Sequence, residues 1–140
     1  MKPIDLETLI YLAGYFDGEG CVSAFKTKGI TATVGSGDSE TIGLFHEYFG
    51  GCISYPKPTR MTKRAITRWS IVGNPAQEFL IYVLPWLRAK RDVALWALGP
   101  TYRKSNSSLT DEEIMIRSRA ALEIKKINQR VTVCQTPTSL

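Results

Sequence analysis

Leu12-Ala13-Gly14-Tyr15-Phe16-Asp17-Gly18-Glu19-Gly20 sets three glycines and two carboxylates directly behind an apolar run of helical spacing. Glycine inside a helix costs about 1 kcal/mol relative to alanine, and two acids in one tight turn repel, so the stretch is costly unless something uses it. Asp5 is placed to cap a helix beginning at Leu6, with Leu6, Leu9, Ile10, Ala13 and Phe16 as its apolar face. Gly14 and Gly18 lie one turn apart, and Tyr11 lies one turn before them, so one stripe is stripped to backbone. A bare stripe lets a second helix approach closely. Two such helices would carry two Glu19 carboxylates to a shared cluster of divalent cations, which one isolated carboxylate cannot build. An ordinary helix stop at Asp17-Gly18 accounts for one glycine but not for all of them.

Composition sets the frame around this stretch. A chain of 140 residues, 44% hydrophobic, suits one domain over residues 1–130, with 131–140 as a flexible tail. Eighteen Lys and Arg against 13 Asp and Glu give a net charge of +5, which favours an anionic partner, most simply nucleic acid. Cys21, Cys52 and Cys134 are odd in number and lack metal-ligand spacing, which argues against a disulfide framework or a zinc site. No apolar run approaches membrane length, and Met1–Glu7 lacks the apolar core of a signal peptide. The expectation is an intracellular protein without a membrane partner.

Beyond the first helix, two strands are expected. In the second, Ile30, Ala32 and Val34 alternate with Thr31 and Thr33, as in a sheet with one buried face. Asp38 caps a helix over 39–49, closed by Gly50-Gly51. Strands over 52–57 and 65–72 follow, joined by a loop carrying Lys57, Arg60, Lys63 and Arg64. Pro75 opens a helix toward Leu84, a second spans 86–98, and Thr110 caps a last one over 111–128. This order predicts an α+β fold: an αββαββα-type core, helices on one face of a four-stranded antiparallel sheet, and an extra C-terminal helix. The open face would present Ser23, Thr27, Thr31, Thr33, Arg68 and Ser70. Such a ribbon with basic edge loops can lie in the major groove of DNA, although the pattern alone favours a plain solvated face. His46, the one histidine, is weak support for a site role, and Tyr102, Arg103 and Lys104 form a loop suited to phosphates or simply to water.

Residues 12–20 closely resemble the signature of the LAGLIDADG homing endonucleases, with Asp17-Gly18-Glu19-Gly20 in the place of its DADG end. The order of elements and the segment Leu84–Leu98, LPWLRAKRDVALWAL, extend the resemblance over residues 5 to 100. It implies a site-specific double-strand DNA endonuclease, typically encoded in an intron or intein, that cuts a long pseudo-palindromic target. A single motif implies a homodimer, with Tyr11, Gly14 and Gly18 at its interface. Glu19 would be the metal-binding catalytic carboxylate, with the Gly20 carbonyl as a further ligand, while Asp17 would be structural. Lys90 matches the site lysine, with Arg91 as the fallback. Mg²⁺ is the implied cofactor, with Mn²⁺ able to substitute; such hard cations take oxygen ligands, acidify a water and stabilise the leaving oxygen. At the end of the second strand the family often carries Gln or Asn, and this chain has Ser36, a departure at the water-positioning residue. Alternatives on the same fold are an intron RNA-splicing maturase, whose partner is host-intron RNA, and a nuclease-inactive DNA-binding regulator.

Overall fold

In the computed structural model, which describes residues 2–25, 29–60, 64–100 and 109–135, the first helix starts where the sequence caps it. Asp5 accepts from the Thr8 backbone N–H at 3.1 Å and from the Thr8 hydroxyl at 2.7 Å, and α1 spans Leu6–Glu19. The chain turns straight into β1 (Gly20–Phe25) and returns in β2 (Gly29–Ser36). Gly20 is required at this corner, because a Cβ there would stand 2.4 Å from Phe16 Cδ2 and 2.6 Å from the Phe16 carbonyl oxygen. Asp38 repeats the capping chemistry at Thr41 and opens α2 (Ser39–Phe49). Gly50 and Gly51, at φ of 77° and 82°, then take the chain out of the helix through backbone conformations that L side chains resist.

The next strands are shorter than expected. β3 is Cys52–Ser54 and β4 is Thr67–Val72. Pro56 and Pro58 have no N–H for a ladder, so pairing stops before Lys57. After α3 (Asn74–Val83) the expected helix over 86–98 divides in two. Leu84–Trp86 make one 3₁₀ turn around Pro85, and α4 begins only at Arg91 and ends at Leu98. The last helix, α5, runs from Asp111 to Gln135, past the expected end at Asn128.

The four strands form one antiparallel sheet in the order β1-β2-β4-β3. Val22, Ile30, Ala32, Val34, Trp69 and Ile71 face the helices and are buried. Trp69 anchors this core. Its ring lies 5.0 Å from those of Phe45 and Phe79, and its indole N–H donates to the Gly50 carbonyl at 2.7 Å. The C-terminal helix closes the β1 edge: Ala120 and Ile124 are buried, and the Asn128 side-chain amide donates to the Val22 carbonyl at 2.9 Å. The α+β architecture expected from the sequence is the one observed. Among the described residues, no helix is long and apolar enough to cross a membrane.

One sequence expectation is corrected within α1. Leu9, Leu12, Ala13 and Phe16 are buried, but Leu6 and Ile10 point outward, 61% and 41% exposed. The helix is apolar on more than one side, so spacing alone could not choose the side that meets the sheet.

Candidate active site and nucleic-acid interface

Strand register assembles the open face of the sheet. Ser23 pairs with Thr31, and Thr31 with Val72. The next row is Cys21-Thr33-Ser70-Cys52, and the one beyond it is Gly35-Arg68-Ser54. Because side chains alternate between faces, all of these lie opposite the buried set. Ser23, Thr31, Thr33, Arg68 and Ser70 are therefore together on one polar surface, as expected. Cys21, Cys52 and Ser54 share it, and so do the exposed Phe25 and Val72. Strand parity already puts Phe25 beside Ser23; sequence reading does not single out Cys21, Cys52, Ser54 or Val72, and the cross-strand register brings them into the rows above. Lys57, Arg60 and Arg64 are exposed on the segment linking β3 to β4. Thr27, Lys63 and the Tyr102-Arg103-Lys104 stretch lie outside the described residues.

Glu19 is the last residue of α1 and is exposed; Gly20 follows as C-cap and donates its N–H to the Phe16 carbonyl. Directly behind them, Asp17 gathers a distant loop. Its Oδ1 accepts the backbone N–H of Arg88 at 3.1 Å and of Lys90 at 2.9 Å, and its Oδ2 accepts that of Ala89 at 3.1 Å. A carboxylate committed to three amide donors is a structural clamp. Lys90 answers it, donating from Nζ to the Asp17 backbone carbonyl at 2.7 Å. The lysine is thus held at the C-terminal end of α1, where the partial negative charge of the helix collects. Burial holds its ammonium below the ordinary lysine value, against the charges of Asp17, Cys21 and Glu19, which pull it back up. Lys90 and Glu19 therefore belong to one electrostatic neighbourhood. Arg91 is exposed and opens α4.

Ser36 is occupied locally. Its hydroxyl accepts from Tyr15 Oη at 2.5 Å and from the Asp38 backbone N–H at 3.0 Å, and so ties α1 to the turn before α2. His46 is exposed on α2, and its backbone carbonyl accepts the Gly50 N–H.

On the outer side of α1, a Cβ placed on Gly14 or on Gly18 would meet nothing within 4 Å. Tyr11 beside them is 52% exposed, its hydroxyl 3.3 Å from that of Thr41. Leu6, Ile10, Gly14 and Gly18 follow each other at one-turn spacing, so an apolar and then bare stripe runs to Glu19. Among the described residues, no three His, Cys, Asp or Glu side chains gather to hold a metal ion. The Glu19 carboxylate and the Gly20 carbonyl are oxygen donors of the kind hard cations take, too few by themselves to hold one.

No family model matches the chain, and no curated protein matches its sequence. Solved structures do. The homing endonuclease I-CvuI in complex with the I-CreI target superposes with a TM-score of 0.60 at 20% identity, over 88% of this chain and 81% of that one. The archaeal intron-encoded homing endonuclease I-Vdi141I, complexed with DNA, superposes with a TM-score of 0.65 at 13% identity, over 86% and 84%. I-CvuI with its own target in the presence of Ca gives 0.58 at 19% identity. At these identities what is shared is the chain path: this chain has the fold of the homing endonucleases.

Proposed function

We propose that this protein is a LAGLIDADG homing endonuclease, a homodimeric enzyme that hydrolyses both strands of a long pseudo-palindromic DNA site with a divalent metal. The observation that carries this reading is the position of Glu19. It stands exposed at the end of a helix whose outer stripe is bare, beside a clamped lysine and at one end of an open polar sheet face. Packing of two copies along Leu6, Ile10, Tyr11, Gly14 and Gly18 would complete the half-site that each chain carries.

Glu19 and the Gly20 carbonyl of each copy would hold Mg²⁺, and their oxygen chemistry also suits Mn²⁺. When bound, the ion supplies an acidified water and charge stabilisation at the leaving oxygen. The chain itself does the rest. Ser23, Thr31, Thr33, Arg68 and Ser70 face the base edges, while Lys57, Arg60 and Arg64 neutralise phosphates and set the register. Lys90, pre-positioned by Asp17, places positive charge where the scissile phosphate gains negative charge. The I-CvuI complexes, one with Mg and one with Ca, agree with divalent-metal use in proteins of this fold.

The test is a cleavage selection: the purified protein and a randomised duplex library, with Mg²⁺, Mn²⁺ or Ca²⁺, followed by sequencing of the ends. The proposal expects one long, roughly two-fold symmetric site, cut on both strands in Mg²⁺ and Mn²⁺. A folded protein that cuts no duplex in either ion contradicts it, and promotion of intron splicing in the same preparation would favour the maturase.

A further inference from the structure

Resting on the reading of Glu19 as the site carboxylate, we infer that Tyr15 and Ser36 are positioning residues for the cleavage step. Their hydroxyl pair fixes the end of β2 so that the Gly35 main-chain carbonyl orients the attacking water beside Glu19. Strand geometry aims that carbonyl. The Gly73 N–H donates to the Ile30 carbonyl at 2.8 Å, so Ile30 turns its carbonyl to the β4 side. Carbonyls alternate in direction along a strand, and that of Gly35 therefore points the other way, toward β1. One step past the Gly20-Val34 pair, the β1–β2 register puts Glu19 opposite Gly35. Glu19 belongs to α1, and its N–H is spent within the helix, so no ladder amide meets the Gly35 carbonyl from that side. Packing does not require glycine here. A Cβ on Gly35 would meet Ile66 Cγ2 at 3.4 Å and Arg68 Nε at 3.9 Å, both ordinary contacts, and its φ is not positive. What the missing side chain does is leave the carbonyl open from the polar face of the sheet.

With glycine at 35 and at 37, this segment has little restraint of its own. The restraint comes from α1. Tyr15 Oη donates to Ser36 Oγ at 2.5 Å, and the Asp38 backbone N–H donates to the same oxygen at 3.0 Å. Both acceptor positions of the hydroxyl are then taken. Ser36 also shares its parity with the buried Ala32 and Val34, so its side chain lies on the helix side of the sheet. It is an anchor and not itself a contact to substrate. One turn earlier on α1, Tyr11 Oη lies 3.3 Å from Thr41 Oγ1, which donates to Asp38 at 2.7 Å. The helix that ends in Glu19 thus grips the β2–α2 turn at two points, Ser36 and Thr41. Hydrolysis requires a water held in line with the scissile bond, and a fixed carbonyl does this by accepting a hydrogen bond from it.

The experiment compares the wild type with Tyr15→Phe, Ser36→Ala and the double variant. Tyr15→Phe keeps the ring that packs against Phe45 and removes only the hydroxyl. Amide exchange, followed by NMR on the protein without DNA, should be about 2- to 10-fold faster at Gly35 and Ser36 in each variant, the scale of one lost hydrogen bond, and unchanged at Val22 and Trp69. Single-turnover cleavage in Mg²⁺ should slow at least about tenfold, while the dissociation constant in Ca²⁺ stays within about twofold. The double variant should be no slower than the single ones, because all three remove the same hydroxyl pair. Losses that multiply in the double variant would overturn the pairing. DNA binding and cleavage that weaken in parallel with a lowered melting temperature would mean a merely structural contact and overturn the inference. Unchanged exchange at Gly35 and Ser36 would overturn it as well. A wild type that cuts no duplex sinks the endonuclease reading and the water role with it, whereas folded variants that cut as fast as a cleaving wild type sink the inference alone.

Discussion

Asp17 and Lys90 hold each other from both ends: the Asp17 carboxylate accepts the Lys90 backbone N–H at 2.9 Å, and Lys90 Nζ donates to the Asp17 backbone carbonyl at 2.7 Å. The end of α1 and the turn before α4 are thereby fixed together. Asp17→Asn turns an amide NH₂ toward backbone N–H donors that cannot accept from it. It should destabilise the fold by about 1–3 kcal/mol in urea unfolding. It should also slow cleavage, because Lys90 loses its anchor. Unchanged stability would show that the clamp contributes little.

Glu19 has no such structural duty; it is exposed at the helix end. Glu19→Gln should therefore leave thermal stability and DNA binding in Ca²⁺ close to wild type and abolish cleavage in Mg²⁺, since a neutral amide is a poor ligand for a hard cation. Normal cutting by the folded variant would remove Glu19 from the site.

Lys90→Met keeps the backbone N–H that Asp17 grips and removes the charge together with the Nζ bond to the Asp17 carbonyl. Single-turnover cleavage should slow at least about tenfold, the scale of one lost transition-state contact, while the dissociation constant in Ca²⁺ changes much less. Equal rates for both proteins would mark Lys90 as a structural residue. A loss seen only in Arg91→Met would move the role to the next residue.

The bare stripe separates folding from assembly. With nothing within 4 Å of a Cβ at Gly14 or Gly18, alanine at either position should fit the single chain and strengthen α1 by up to about 1 kcal/mol. Leucine at Gly18 should also leave the single chain folded, but yield monomers in sedimentation and no double-strand cleavage. A dimer that survives Gly18→Leu would put the interface elsewhere.

Asp38 gives a pH signature. The Thr41 hydroxyl and then the Thr41 backbone N–H hold its carboxyl below the ordinary 3.8. Near that pH the unfolded chain binds more protons than the folded one, so stability rises with pH. The contribution is complete above 3.8 and is lost as pH falls through the lowered value. Asp38→Ala should lower the melting temperature at neutral pH, and the gap to wild type should shrink in acid. A gap independent of pH would mean that the carboxylate charge does not matter.

Much of this molecule was legible in one dimension. Asp5 and Asp38 cap through residues three positions away, the β2 alternation repeats every two residues, and the glycines at 14, 18 and 20 lie within two turns of Glu19. These are local relations, and local spacing suffices to express them. What only the tertiary structure decided is non-local. Cys21, Thr33, Ser70 and Cys52 form one row because four strands pair in the order β1-β2-β4-β3, which no short window encodes. Leu6 and Ile10 point outward because the sheet covers the other side of a helix that is apolar on both. Lys90 caps α4 instead of lying within a longer helix because Asp17, far back in the chain, takes the three amide donors of that turn. The sequence carries the periodicities and the caps; which face is covered, and which distant groups meet, depends on the free energy of packing elements that lie far apart along the chain.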